Sequence, residues 1–352
     1  MLSGVRVLDL TDHRGRLAGA ILAALGAEVV LVEPPGGAPG RRRPPLAAGV
    51  SLDWWAYNRG KHSVICRSEA ELAALLAEAD VVLESPDPGE RVLNGAALDR
   101  EALAAAHPAL VHVTITAFGS SGPKARWPAS DLTVAAAGCQ LALTGDADRP
   151  PVRTSVAQGF LHAGAEAACG ALLALTERRR SGRGQHVDVS AQQAFMQAAI
   201  PGVYFAPNDN APLGRISGGI AYGPYHLQFV YPAADGHVSI TLLFGATIGR
   251  FTTRLMDWVE EEGLLPDELR GVDWLEFAAA LAADPVAAGR LEAAKAAVAA
   301  LTAGRTKAEL FAEARRRELL LAPVATPAEL FDSEQLAARG FWDEVEDPTL
   351  GR

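Results

Sequence analysis

Three stretches of this chain combine side chains capable of chemistry. Thr11–Gly15 reads TDHRG and follows the β-rich run Val5–Leu10. There Asp12 and His13 offer a carboxylate and an imidazole for proton transfer at a strand's carboxyl end. The plain alternative is a solvated polar loop. Pro34–Pro45 reads PPGGAPGRRRPP, whose three arginines either neutralise a phosphate or remain solvated loop charge. Pro150–Val189 contains a loop, a long Ala-rich helix, a Gly-rich turn at Gly182–Gly184 and a short strand. The start of that helix is where a ligand is expected, since a helix N-terminus attracts anions. The residue there is Phe160, an apolar ring where a reactive group would be wanted. Gln158 lies two residues before it and His162 two after. His162, on the first helical turn, is either a relocated base or an ordinary packing residue.

Cys66, Cys139 and Cys169 are scattered, odd in number and lack CxxC spacing. Neither a disulfide framework nor a metal site is expected, and the reading is reduced thiols in a cytoplasmic protein. No signal-peptide pattern opens the chain, and no apolar run reads as a membrane span. The net charge of −10 over 352 residues argues against a general nucleic-acid binder. Hydrophobic content of 49% with 21% charged residues fits a globular chain with a real core.

The elements that position these residues alternate. Val5–Leu10 is a strand, Leu17–Leu25 a helix stopped by Gly26, and Glu28–Val32 a second strand, a βαβ unit that favours a parallel sheet. The first turn carries no G-x-G-x-x-G, so the nicotinamide fingerprint is absent, and Glu33 at the second strand's end is a weak ribose ligand. Further strands are expected at Ser63–Cys66, Val81–Leu83 and Leu110–Ile115, with helices over Glu69–Glu78 and Leu98–Ala106. This is α/β, with loops gathered at the strand carboxyl ends where open parallel sheets bind ligands. Helices over Ser130–Leu143, Leu161–Arg179 and Ala191–Ala199 follow. Residues 201–224 read as a Gly/Pro/Asn-rich linker. A second, smaller α+β domain is expected over 225–322, opening with strands around the Asp235–Gly236 turn.

Several blocks, in order, resemble the class III CoA-transferase family (the CaiB/BaiF group): LSGVRVLDLT, LGAEVVLVEPPGG, NRGKHSV, ADVVLESPDPG, HPALVHVTITAFGSSGP, TGDADRPPVR, ERRRSGRGQHVDVS, YPAADGHVSI and APVATPAELFDSEQLAARGFWDEVEDPTLG. Together they span essentially the whole chain. The resemblance implies a doubly wound, mostly parallel Rossmann-like large domain over 1–200, with the smaller domain inserted and residues 323–352 returning to the large one. It also implies an interlocked dimer. Coenzyme A or an acyl-CoA would be the substrate, with no tightly bound cofactor, nucleic acid or membrane.

The family moves CoA between carboxylic acids through a mixed anhydride on one aspartate. That carboxylate attacks the thioester carbonyl, and the anhydride then exchanges. The family pattern aligns without a gap from PPVR (Pro150–Arg153) to Gly184 and puts Phe160 under that aspartate. The related α-methylacyl-CoA racemases pair the aspartate with an earlier His, where this chain has Ser130. Three readings follow: a non-catalytic subunit, homodimeric or partnered with an Asp-bearing relative; a diverged isomerase, hydratase or lyase built on Asp12, His13 or His162; or a CoA-binding scaffold.

For CoA itself, Lys61 aligns with a family phosphate contact, with Asn58 and Arg59 beside it and Arg14 in the first loop. Ser85 stands where the family has Asn, and Gly89 keeps a tight turn. Lys124 and Arg126 are placed for the adenine-end phosphates. Asp131 is expected to cap its own helix, and Gly218, Gly219 and Gly223 occupy the place of a mobile loop that closes over the site.

Overall fold

Short runs of Val, Leu and Ile alternate with helices, and the central runs become strands buried on both faces, as parallel strands covered by helices are. The structure, a computed structural model, describes residues 1–86, 98–199, 204, 208, 214–347 and 349–351. It divides into two units, one of residues 1–144, 150–215 and 345–352, the other of 145–149 and 216–344.

The first unit holds a six-stranded sheet: β1 (Arg6–Leu10), β2 (Glu28–Glu33), β3 (His62–Ile65), β4 (Val81–Glu84), β5 (Val111–Thr116) and β6 (His186–Ser190). Every pairing is parallel. The order is β3-β2-β1-β4-β5-β6. That order reverses between β1 and β4, and such a reversal opens a crevice at the strand carboxyl ends. The helices are α1 (Arg16–Ala24), α2 (Leu52–Asn58), α3 (Glu69–Ala77), α4 (Arg100–Ala106), α5 (Asp131–Ala137), α6 (Gln140–Leu143), α7 (Gly159–Ser181) and α8 (Ala191–Met196).

Strand alternation sorts the core into two faces. Val7, Val29, Val81, Leu83, Val111, Val113 and Ile115 form one cluster with Ala18 and Leu22 of α1 and with Ala163, Ala167, Ala171 and Ala174 of α7. The Ala spacing of three and four residues keeps one small-residue stripe on the sheet. Leu8, Val32 and Val82 face the other way, with Leu72 and Leu76 of α3 and Leu103 of α4. Among the described residues α7 is long and apolar enough to cross a membrane by length and composition, contrary to the reading of its sequence, but half of its most apolar window is buried within the protein. Its inner stripe is that of a core helix. The single helix expected over Ser130–Leu143 is broken, because Gly138 ends α5 and Cys139 sits at φ 72°.

The second unit starts with an antiparallel hairpin, β7 (Gly219–Tyr222) and β8 (Tyr225–Gln228). A three-stranded antiparallel sheet follows, of β9 (Val230–Ala233), β10 (Gly236–Ile240) and β11 (Leu321–Pro323). Helices α9 (Gly249–Glu261), α10 (Phe277–Ala283), α11 (Pro285–Ala303) and α12 (Lys307–Arg317) share a core with Tyr231, Trp258, Phe277, Leu291 and Leu310. Two expectations change here. The stretch read as linker holds strand β7, so Gly219 is a strand residue whose backbone lies against Leu227. The return to the first unit begins at 345 rather than 323. The intervening segment is kept in the second unit by the β10–β11 pairing, by Val324 N–H on the His237 carbonyl at 2.9 Å and by the Lys307–Glu329 ion pair. After 345, Asp347 accepts the Trp55 indole N–H at 2.9 Å.

Candidate functional site

The end of β1 carries a buried charge pair. Asp9 is fully buried. One oxygen accepts from the Thr11 N–H at 2.9 Å and the Thr11 hydroxyl at 2.7 Å, and the other from Lys61 Nζ at 2.8 Å. Lys61 also donates to the Arg16 carbonyl and to Asn58 Oδ1, both at 2.9 Å. An ammonium has three donors, and all three are used by a side chain 1% exposed. Lys61 is therefore a buried brace here, not the open phosphate ligand its alignment implies. Gly19 makes the pair possible, because a Cβ there would lie 2.2 Å from Asp9 Oδ2 and 2.9 Å from Lys61 Nζ. Asn58 turns its amide N–H to the Trp54 carbonyl at 2.9 Å. Exposed Arg59 lies over the Trp55 ring at 4.7 Å.

At the switch between β1 and β4 the first-loop residues meet Ser85. The Asp12 N–H donates to Ser85 Oγ at 2.9 Å, and that hydroxyl donates back to Asp12 Oδ1 at 3.0 Å. Arg14 Nε reaches both Asp12 oxygens at 3.0 Å, and Nη2 donates to the Ser85 carbonyl at 2.7 Å. His13 Nδ1 lies 3.4 Å from Asp12 Oδ2, with its ring 41% exposed. Burial pushes the Asp12 carboxyl upward, but hydrogen bonds and charge from His13 and Arg14 outweigh it and hold the group well below the usual carboxylate range. Asp12 is thus a stabilised anion and a poor base. Asp12, Arg14 and Ser85 form one rigid bracket, with His13 at its open rim. Gly89 lies outside the described residues.

The loop after β5 exposes Lys124 and Arg126, and the Lys124 ammonium hovers over Phe118 and Trp127 at 5.8 and 5.5 Å. Beside β2, Glu33 does not wait for a ribose. Its carboxylate accepts from Arg41 at 2.6 and 2.5 Å, from the Ala38 N–H at 2.9 Å and from Ser63. Burial opposes ionisation, yet these donors, Arg41 first, bring the group down to about 2. One of the three loop arginines is thereby committed to pinning its own loop.

The start of α7 separates the residues flanking Phe160 from Phe160 itself. A cavity of about 180 Å³ is lined by Arg153, Gln158, His162, Asp131, Thr144 and Phe195, among others. Phe160 is 7% exposed and belongs to the apolar core with Val134, Ala163 and Phe195. Asp131 does cap a helix, but not its own. Ser130 caps α5 through a capping box, while the Asp131 carboxylate accepts from the Gly159 N–H at 2.8 Å and the Gln158 N–H at 3.3 Å at the mouth of α7. The one carboxylate at this helix start is spent on its donors. His162 packs its ring against Phe195 at 5.1 Å. The cavity offers hydrogen bonds and a guanidinium, but its carboxylate is already engaged by the helix. Sequence reasoning missed Asp9, whose signal was a lone acid inside an apolar strand.

The family model of CoA-transferase family III matches residues 2–352. The succinyl-CoA:(R)-benzylsuccinate CoA-transferase subunit BbsE of Thauera aromatica is 31% identical over 99% of this chain and 85% of its own length. A probable CoA-transferase of Mycobacterium tuberculosis is 30% identical over 97% of this chain, which spans only 42% of that longer protein. The succinyl-CoA–D-citramalate CoA-transferase of Chloroflexus aurantiacus is 34% identical over 76% of this chain and 66% of its own length. Among solved structures, a CAIB/BAIF family protein from Brucella suis superposes with a TM-score of 0.75 at 26% identity, over 96% of this chain and 87% of that one. With the parallel sheet, the switch-point bracket and these matches in hand, the chain belongs to CoA-transferase family III.

Proposed function

We propose that this chain is a subunit of an acyl-CoA:carboxylate CoA-transferase in which an Asp-bearing relative supplies the nucleophile. The observation that carries the reading is the packing of Phe160, the residue that the sequence resemblance sets at the family aspartate, into the apolar core. A phenyl ring neither attacks a thioester nor takes a proton. Asp131, the neighbouring carboxylate, is engaged by the backbone N–H groups at the mouth of α7. Two relatives support the arrangement. BbsE is named as a subunit, and the Mycobacterium protein has more than half its length left beyond the matched part, room for a second unit.

In this arrangement the partner's carboxylate attacks the thioester carbonyl and expels the CoA thiolate, leaving an acyl-aspartyl anhydride. The acceptor carboxylate attacks the aspartyl carbonyl and releases the donor acid as its carboxylate, leaving a new mixed anhydride; the CoA thiolate then attacks the acceptor's acyl carbonyl, forms the new thioester and frees the aspartate. This chain contributes the switch-point edge. Lys124, Arg126 and Arg59 present exposed cationic side chains for CoA phosphates, while Lys61 and Arg14 hold the loops behind them.

The test is to purify the chain alone and co-expressed with an Asp-bearing family member, determine mass in solution, and follow CoA exchange from succinyl-CoA by chromatography. The expected result is a mixed dimer that exchanges CoA and an isolated chain that does not. A homodimer that exchanges CoA without added protein would sink the proposal.

A further inference from the structure

The loop between β5 and α5 carries Lys124 and Arg126, and a side chain outside it fixes its first residues. Asp188 stands on β6, the edge strand of the sheet, in register with Thr114 of β5. Its two oxygens accept the Ser120 N–H at 3.1 and 3.0 Å, and Oδ2 accepts the Ser120 hydroxyl at 2.5 Å. Hydrogen bonds to a carboxylate are shorter and stronger than neutral ones. The chain reaches Asp188 through a turn that needs a glycine. Gly119 is buried at φ 90°, with its N–H on Thr116 Oγ1 at 2.9 Å. Just before it, the Ala117 carbonyl accepts the Gln192 N–H at 2.9 Å.

Past Ser120 the backbone makes local bonds. The Ala125 N–H donates to the Gly122 carbonyl at 3.2 Å, and the Trp127 N–H to the Lys124 carbonyl at 2.9 Å. Among the described residues, the hydrogen bonds that tie residues 120–127 to the sheet are those from Ser120 to Asp188. Residues 120–124 are exposed. The Lys124 ammonium nevertheless has a defined place, over the Phe118 ring at 5.8 Å and the Trp127 ring at 5.5 Å. Phe118 lies on the strand side of Ser120 and Trp127 on the far side. Cation–π contacts at an exposed site are too weak to hold a loop unaided. Releasing Ser120 therefore lets the two rings drift apart, and the ammonium loses its seat.

Asp188 also lines an open cleft of about 350 Å³ with Phe118, Ser121 and Ser190. A carboxylate there repels a phosphate, so it serves an anion by holding the loop and not by touching the ligand. We propose, on the reading of Lys124 and Arg126 as contacts for CoA phosphates, that Asp188 is a positioning residue for that ligand. It clamps Ser120 and thereby presents the Lys124 ammonium. Its charge and its hydrogen bonds then act in opposite directions. The charge disfavours an anionic ligand, and the bonds favour it.

The experiment titrates the full chain with coenzyme A by calorimetry, as wild type, Asp188→Asn, Asp188→Ala and Ser120→Ala. Asn keeps an acceptor oxygen without the charge, while Ala keeps neither. Asp188→Ala should weaken CoA binding about tenfold, the scale of a lost charge-assisted hydrogen bond, and Asp188→Asn should stay within about threefold of wild type. Ser120→Ala should weaken binding by itself and add nothing in the Asp188→Ala background. The Ser120 amide should exchange with deuterium faster in Asp188→Ala, with the β5 amides unchanged. If Asp188→Ala loses its sheet, Ser120→Ala, at an exposed position, decides the matter together with Asp188→Asn. Variants that all bind CoA as tightly as wild type overturn the proposal, as do Asn and Ala variants that both bind more tightly, which would leave Asp188 a charge opposing the ligand. A wild type that binds no CoA removes the reading of Lys124 and Arg126 as well, whereas a wild type that binds beside unaffected variants removes the clamp alone.

Discussion

Two side chains, Phe160 and Lys61, carry opposite lessons about reading chemistry from alignment. Phe160 is the residue that the sequence resemblance sets at the family nucleophile's position, and the structure packs its ring into the apolar core. Phe160→Ala should lower unfolding free energy by about 3 kcal/mol, the usual cost of emptying a buried phenyl site, measured by urea denaturation. A loss under about 0.5 kcal/mol would mean the ring is not packed as described. Lys61 is expected from the sequence resemblance to contact CoA, yet its ammonium is saturated by Asp9, Asn58 and the Arg16 carbonyl. Lys61→Met leaves Asp9 buried and unpaired, a loss of about 3–5 kcal/mol. Lys61→Met combined with Asp9→Leu should recover most of it, whereas a plain phosphate ligand would show no such coupling. The sequence made residue types visible here but not their partners. A Lys before a strand reads the same whether it faces solvent or an acid 52 positions earlier in the chain.

Elements were more legible than residues, for a physical reason. Strands buried on both faces are dense in Val, Leu and Ile even where a polar residue such as Asp9 or His112 interrupts them, and β1, β2, β4 and β5 each fell within a residue or two of their reading. The sheet's strand order could not be read from those runs, because register and neighbour choice are set by long-range packing. The short strand β7 was hidden for another reason: its four residues begin with Gly and lie in a Gly/Pro-rich stretch, where turn signals outweigh strand propensity. The loop after β2 gives a test at this scale. Glu33 anchors it through Arg41, the Ala38 N–H and Ser63. Its pKa is about 2 in the folded protein against an ordinary 4.5. A depressed carboxylate stabilises above its unfolded pKa and loses that contribution as the pH falls through the folded one. Wild type should therefore exceed Glu33→Gln in stability at pH 7, with the gap closing between about pH 4.5 and pH 2. Chemical denaturation of both proteins across that range checks it, and a gap independent of pH would exclude the ionised anchor.

At the scale of the whole molecule, the change of texture after residue 200 reads as the start of a second domain over 225–322, while the second unit holds residues 145–149 and 216–344. Its carboxyl end depends on β11 pairing with β10 across about 80 residues, which local pattern does not encode. Within the first unit, Val81, Val82 and Leu83 of β4 and Val111 and Val113 of β5 have no exposed surface. Their amides should be among the slowest of the chain to exchange with deuterium, tracking global unfolding, while Gly36, Gly37 and Gly122 exchange early. Early exchange throughout β4 and β5 would refute a sheet centred on those strands.

Gly19 carries a consequence for other sequences. Since a single methyl group there would collide with Asp9 and Lys61, positions 9, 19 and 61 should be inherited as one unit. Relatives that keep the acid and the lysine should keep the glycine, and a relative with a larger residue at the equivalent of position 19 should have changed one of the charged partners as well. Aligned sequences would show this as three columns that change together, a record of a contact none of them reveals alone.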